Sequence, residues 1–127
     1  MSIFSKDLSI NEVDDGRNFE LAKDFCYQSD RYGITICAPA GFVFDFASIP
    51  RMFWRVVGSP ATGLYRRASV IHDYLCVHGA ELGISRAQAD SIFYEAMLCN
   101  GVGLFKAWVM YRAVRLNSIF RCAIIPQ

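Results

Sequence analysis

Two histidines occur in the 127 residues, so chemistry that needs an imidazole has few places to be. His72-Asp73 stands among Val70, Ile71 and Leu75, which are core-type side chains. Neighbouring residues on a helix point roughly 100° apart, so this pair must address two different partners. Asp90 is the candidate partner for His72, because it interrupts the apolar pattern Ala89, Ile92, Phe93. A carboxylate on one ring nitrogen fixes the tautomer and leaves the other to take a proton from water. Asp73, aimed elsewhere, suits a hard cation such as Ca²⁺ with help from backbone carbonyls. The same residues also admit a reading without chemistry, a satisfied polar bond that sets helix register. Asp45, between Phe44 and Phe46, is a candidate second oxygen ligand for the metal. Alternatively, Asp45 or Ser48 caps the segment that begins at Pro50-Arg51. His78, before Gly79 at a helix end, suits the helix dipole and is assigned no chemistry.

The elements that must hold these residues are helices. Residues 64–77 lack Gly and Pro, and Leu64, Ala68, Ile71 and Leu75 recur at helical spacing. Ser85-Arg86-Ala87-Gln88 is a capping box opening a helix to about Leu98, with Ala89, Ile92, Phe93, Ala96 and Met97 on one stripe. Asn100-Gly101 ends it. The link from His78 to Ser85 is short, which makes the two helices an antiparallel hairpin. His72 lies roughly 6 residues before that link and Asp90 roughly 5 after it, so at 1.5 Å per residue they sit at similar heights. A third helix runs from Leu104 to about Asn117, with Phe105, Trp108, Val109, Arg112 and Leu116 at three- and four-residue steps.

The first third reads as β. Phe19-Glu20-Leu21, Phe25-Cys26-Tyr27 and the alternating Tyr32 to Cys37 are strand-like, with Gln28 to Arg31 as a hairpin connection. Pro39-Ala40-Gly41 breaks the pattern before an extended Phe42 to Phe46, and Leu8 to Val13 offers one more strand. The fold class that results is α+β: a small antiparallel N-terminal sheet packed on about three C-terminal helices. One domain spans 1–127, with 1–50 mainly β and 51–127 mainly α.

Composition bounds the rest. Hydrophobic residues make up 54% and charged ones 20%, which supports a packed core and argues against disorder. No apolar run reaches the roughly 18 residues of a membrane span, and the acidic first residues do not read as a signal peptide. Residues 1–50 hold 4 Lys/Arg against 8 Asp/Glu, and residues 51–127 hold 9 against 4, balances of −4 and +5. Arg112, Arg115 and Arg121 stand between core types without an aromatic-basic repeat, which reads as a solvated helix face rather than a nucleic-acid track. Five cysteines, Cys26, Cys37, Cys76, Cys99 and Cys122, have no C-x-x-C spacing. They read as reduced, buried small hydrophobes rather than zinc ligands.

From Phe19 to Leu116 the chain resembles an uncharacterised family of tailed phages and prophages. The resemblance is carried by Pro39-Ala40-Gly41-Phe42, Asp45-Phe46-Ala47-Ser48-Ile49-Pro50-Arg51, His72-Asp73-Tyr74-Leu75, Arg86, Ala89-Asp90, Phe93 and Met97. It implies phage origin and no agreed activity. The helix pair alone, His72-Asp73 with Arg86, Ala89-Asp90, Phe93 and Met97, is similar to the catalytic hairpin of the bacterial and fungal phospholipase A2 class. That similarity implies that His72 activates water, Asp73 ligates Ca²⁺ and Asp90 orients His72. The sequence departs from this class at three points. Cys76 replaces a tyrosine, for which Tyr94 is the nearest substitute. Gly58 to Gly63 is a poor counterpart of the calcium loop, and the cysteines do not match the usual helix-tying disulfides.

Two functions are therefore expected. One is a calcium-dependent ester or amide hydrolase acting on lipid or host cell envelope. The other is a non-catalytic virion (tail) or assembly component that binds other phage proteins, with the host cytoplasm or the virion as its location. A small inhibitor of a host defence is a third, weaker reading. Exposure of Phe53-Trp54 or Trp108 would favour the virion component.

Overall fold

Alternation of apolar and polar residues builds the β layer. In a computed structural model, which describes residues 3–4, 8–13, 18–44 and 66–124, strand β4 (Phe25–Ser29) turns Phe25, Tyr27 and Ser29 inward. Strand β5 (Ile34–Ala38) pairs with it antiparallel, placing Tyr27 opposite Ile36 and Phe25 opposite Ala38, so the inward faces coincide. The hairpin turns at 30–33, where Gly33 supplies a φ of 63° that other residues resist. Gln28 and Ser29 thus belong to the strand, two residues later than their polarity suggests. Strand β1 (Ile3–Phe4) completes one sheet in the order β1-β4-β5. A second sheet orders β2 (Ile10–Glu12), β3 (Phe19–Leu21) and β6 (Val43–Phe44) as β2-β3-β6. All pairings are antiparallel, and the β layer is two small sheets because Ala22 to Asp24 separates β3 from β4.

The register opposes Cys26 to Cys37 on the outward side of the hairpin, and the two form a disulfide. This corrects the expectation of reduced, buried cysteines. Strand pairing brings the two Cα atoms to 4.1 Å, a juxtaposition that spacing in a C-x-x-C sense does not register. Cys76 is half-buried and Cys99 exposed, and neither is in a disulfide.

Among the described residues three helices follow: α1 (Arg66–His78), α2 (Arg86–Cys99) and α3 (Leu104–Ile124). A 3₁₀ turn (Gly79–Leu82) joins the first two. The capping box at α2 forms as expected: Ser85 Oγ accepts from the Gln88 N–H and Gln88 Oε1 accepts from the Ser85 N–H. Past α2 the chain closes through Gly101 at φ 88°, where Val102 N–H donates to the Met97 carbonyl. Helix α1 packs on β5 and β6, α2 on β4, and the helices pack α1 to α2 to α3. One cluster of buried side chains joins both layers, from Leu21, Phe25 and Tyr27 through Ile71, Leu75, Ile92 and Phe93 to Met110 and Val114. Glu95 pins the β4–β5 hairpin to α2. It accepts from the Tyr27 hydroxyl and from the Arg31 N–H at 2.9 Å.

Helix α3 is apolar on two faces. Ala107, Met110, Ala113, Val114 and Ser118 point inward, whereas Leu104, Phe105, Trp108, Leu116 and Ile119 are exposed. The helix is apolar on both sides, so periodicity alone does not select the buried stripe. It also extends beyond Asn117 to Ile124. Among the described residues no helix is long and apolar enough to cross a membrane.

Candidate functional site

Helix α1 carries His72 and Cys76 four residues apart, hence on one face. Helix α2 brings Asp90 to the same height, and α3 adds Arg115 from the far side of Asp90. Asp90 Oδ1 lies 2.6 Å from His72 Nε2, and Arg115 Nη1 donates to Asp90 Oδ2 at 2.8 Å. Both His72 and Asp90 side chains are fully buried, and Arg115 is 22% exposed. The Phe93 ring lies 4.9 Å from the imidazole, tilted by 39°. The contact expected from helix spacing is therefore present, and it is part of a three-helix chain, His72–Asp90–Arg115.

Arg115 is what the sequence reading missed. It was grouped with Arg112 and Arg121 as a solvated face, yet it is the cation that engages the second oxygen of Asp90. The usable signal was position: Arg115 lies three and four residues from inward-facing Ser118 and half-buried Tyr111. Arg86 behaves similarly, donating to Ser118 Oγ at 3.3 Å.

The charge state of the imidazole follows from this setting. Burial by itself opposes protonation, but Cys76 beside the ring and the hydrogen bond and charge of Asp90 outweigh it, and the pKa rises from 6.5 to about 10. The carboxylate of Asp90 lies on Nε2 as the acceptor for the ring's proton. Cys76 Sγ lies 3.7 Å from Nδ1 and 3.8 Å from Nε2. Near-equal distances place the sulfur alongside the ring rather than on the Nδ1 lone-pair line.

Asp73, one residue from His72, is buried, with 7% of its surface exposed, and engaged in an interaction of its own. Among the described residues no three His, Cys, Asp or Glu side chains gather as a metal set. Calcium takes 6–8 oxygens, and both oxygens of Asp90 are already engaged by His72 and Arg115. The described residues alone therefore do not assemble a calcium site. Asp45, Ser48, the Gly58 to Gly63 loop and Phe53-Trp54 lie outside the described residues. His78 meets Glu81 at 3.4 Å on an exposed surface.

A family described as "Protein of unknown function (DUF1353)" matches residues 19–114. The chain belongs to the DUF1353 family. Its matched span holds β3 to β6, both helices of the hairpin, and His72, Asp73, Cys76 and Asp90. The DUF1353 chain is 44% identical over 98 residues to "Uncharacterized protein y4jT" of Sinorhizobium fredii (strain NBRC 101917 / NGR234), covering 76% of this chain and 27% of that protein. It is 37% identical over 70 residues to "Uncharacterized protein y4iH" of the same organism, covering 55% and 28%. This DUF1353 chain thus spans about a quarter of the length of the curated relatives it matches. No solved structure matches it.

Proposed function

We propose that this DUF1353 domain is a hydrolase of an ester or amide bond in which His72 moves protons and Asp90 orients it. The 2.6 Å contact between His72 Nε2 and Asp90 Oδ1 carries the reading. It fixes one nitrogen of a buried ring, the orientation an acid–base imidazole needs. The resemblance of the helix pair to the phospholipase A2 class suggests lipid or host cell envelope as substrate, in the service of a phage or prophage.

The test is hydrolysis of phosphatidylglycerol and phosphatidylethanolamine vesicles, read as fatty-acid release, with added Ca²⁺ and with a chelator. The chelator arm bears on Asp73 and Asp45 as metal ligands. His72→Asn keeps a donor toward Asp90 and is expected to lose roughly 10²–10⁴-fold of the rate. A folded His72→Asn protein with wild-type turnover would refute the reading, as would a wild type inert in both arms.

A second reading, a non-catalytic virion or assembly component, is favoured by the outer stripe of α3. Leu104, Phe105 and Trp108 are 71%, 75% and 53% exposed, a density of large apolar groups that marks binding surfaces. In that case His72–Asp90–Arg115 serves only to lock three helices together.

A further inference from the structure

We propose that Cys76 is a nucleophile of this site, forming with His72 and Asp90 a Cys–His–Asp arrangement that works through a thioester. The inference rests on the hydrolase reading and names the group that attacks. Three observations carry it. Cys76 and His72 share one face of α1, with the sulfur 3.7 Å from Nδ1. Asp90 holds Nε2 from α2 and is itself held by Arg115, so the ring cannot swing away from the thiol. Cys76 is half-buried where the His72 and Asp90 side chains are fully buried, so of the three it is the residue with surface left to meet an acyl group.

The chemistry needs no co-reactant beyond water. The thiol gives its proton to solvent water, leaving a thiolate beside the already protonated ring, whose charge Asp90 balances. The sulfur pair forms an S–C bond to the acyl carbon as the C–O or C–N bond to the leaving group breaks, and that group takes the proton from Nδ1. Water, giving a proton to Nδ1, then attacks the thioester. The S–C bond breaks, the acid departs, and the thiolate beside the protonated ring is restored.

Cys99, an exposed thiol on α2, is the internal control. Intact protein is treated with limiting iodoacetamide at pH 6.0 and the modified peptides are quantified. Cys76 is expected to react at least tenfold faster than Cys99 despite its lower exposure, and His72→Asn is expected to bring it to the Cys99 rate or below. With p-nitrophenyl acetate, one acetyl group is expected on Cys76, released by hydroxylamine. Cys76→Ser and Cys76→Ala, checked for folding by thermal melting, should lose both the acetyl adduct and turnover of that ester. Native Cys76 reacting more slowly than Cys99, or at a rate indifferent to His72, would overturn the proposal, since a thiol that a small alkylator cannot reach cannot attack an acyl group. Vesicle hydrolysis that needs His72 but survives both Cys76 variants would also overturn it while leaving the hydrolase reading intact. A fast-reacting, His72-dependent Cys76 in a protein inert on every ester and vesicle would uphold the activated thiol and sink the hydrolase reading.

Discussion

Replacing Asp90 with alanine removes the acceptor of two cations at once: the imidazolium at 2.6 Å and the guanidinium at 2.8 Å. Removing one partner of a buried ion pair costs about 3–5 kcal/mol, because the other charge stays buried and unpaired. Two reliefs lower the figure here. The imidazole can shed its proton, and Arg115, already 22% exposed, can turn toward water, so its share is discounted for screening. A loss of about 3 kcal/mol remains, which for a chain of this length corresponds to a midpoint lowered by roughly 10 °C. Asp90→Asn keeps one oxygen acceptor and is expected to lose about 1–2 kcal/mol. Urea unfolding from pH 6 to pH 10 provides the assay. The pKa of His72 is raised by folding, so its contribution is fully present below pH 6.5 and is lost as pH rises toward about 10. The gap between wild type and Asp90→Ala must therefore narrow across that window. A gap below about 1 kcal/mol at every pH, or one that widens with pH, would refute the charge assignment of His72 and Asp90.

Arg115→Met is expected to destabilise by about 1–3 kcal/mol and to couple with Asp90→Ala in a double-mutant cycle by more than about 0.5 kcal/mol; additive losses would show that the pair does not interact. Replacing Cys26 and Cys37 by serine removes a short cross-link and should lower stability by about 2–3 kcal/mol under oxidising conditions only, checked by melting with and without reductant. Met110→Ala, in the core, should cost about 2–5 kcal/mol, whereas Trp108→Gln, on the outer stripe, should change urea stability by less than about 0.5 kcal/mol. If His72 deprotonates water directly, turnover should climb about tenfold per pH unit from neutrality toward pH 10, because only the neutral ring is a base; a profile flat from pH 7 to 9 excludes direct water activation.

Much of the helical half was legible because each local signal agreed with the tertiary outcome. The Ser85–Gln88 box, the Asn100-Gly101 stop and the stripe Ala89, Ile92, Phe93, Ala96, Met97 all point one way, and every residue of that stripe is buried. The pairing of His72 with Asp90 followed from helix rise and link length alone. Helix α3 is less legible because both its faces are apolar, so periodicity alone does not say which one is buried. Arg115 was lost with it: a residue judged to lie on a solvated face was not considered as a partner for Asp90. The disulfide was hidden for a different reason. Placing the turn at Gln28 to Arg31 instead of 30–33 shifts the hairpin register, and only the correct register sets Cys26 opposite Cys37.

The same contacts that make the site look catalytic also restrain it. Asp90 can orient the ring only because Arg115 occupies its other oxygen, and that second contact keeps the carboxylate available to hold the proton on His72. Orientation and basicity are therefore opposed: the better Asp90 is fixed as an acceptor, the less His72 can serve as a base toward water. A neighbouring thiol resolves the opposition, because thiolate and imidazolium stabilise one another and the protonated ring is then the resting form that the mechanism requires. A purely structural role resolves it too, since a charged chain across three helices needs no neutral ring. The two outcomes differ at one atom, the sulfur of Cys76, which a structural chain leaves with ordinary thiol reactivity and a catalytic one does not.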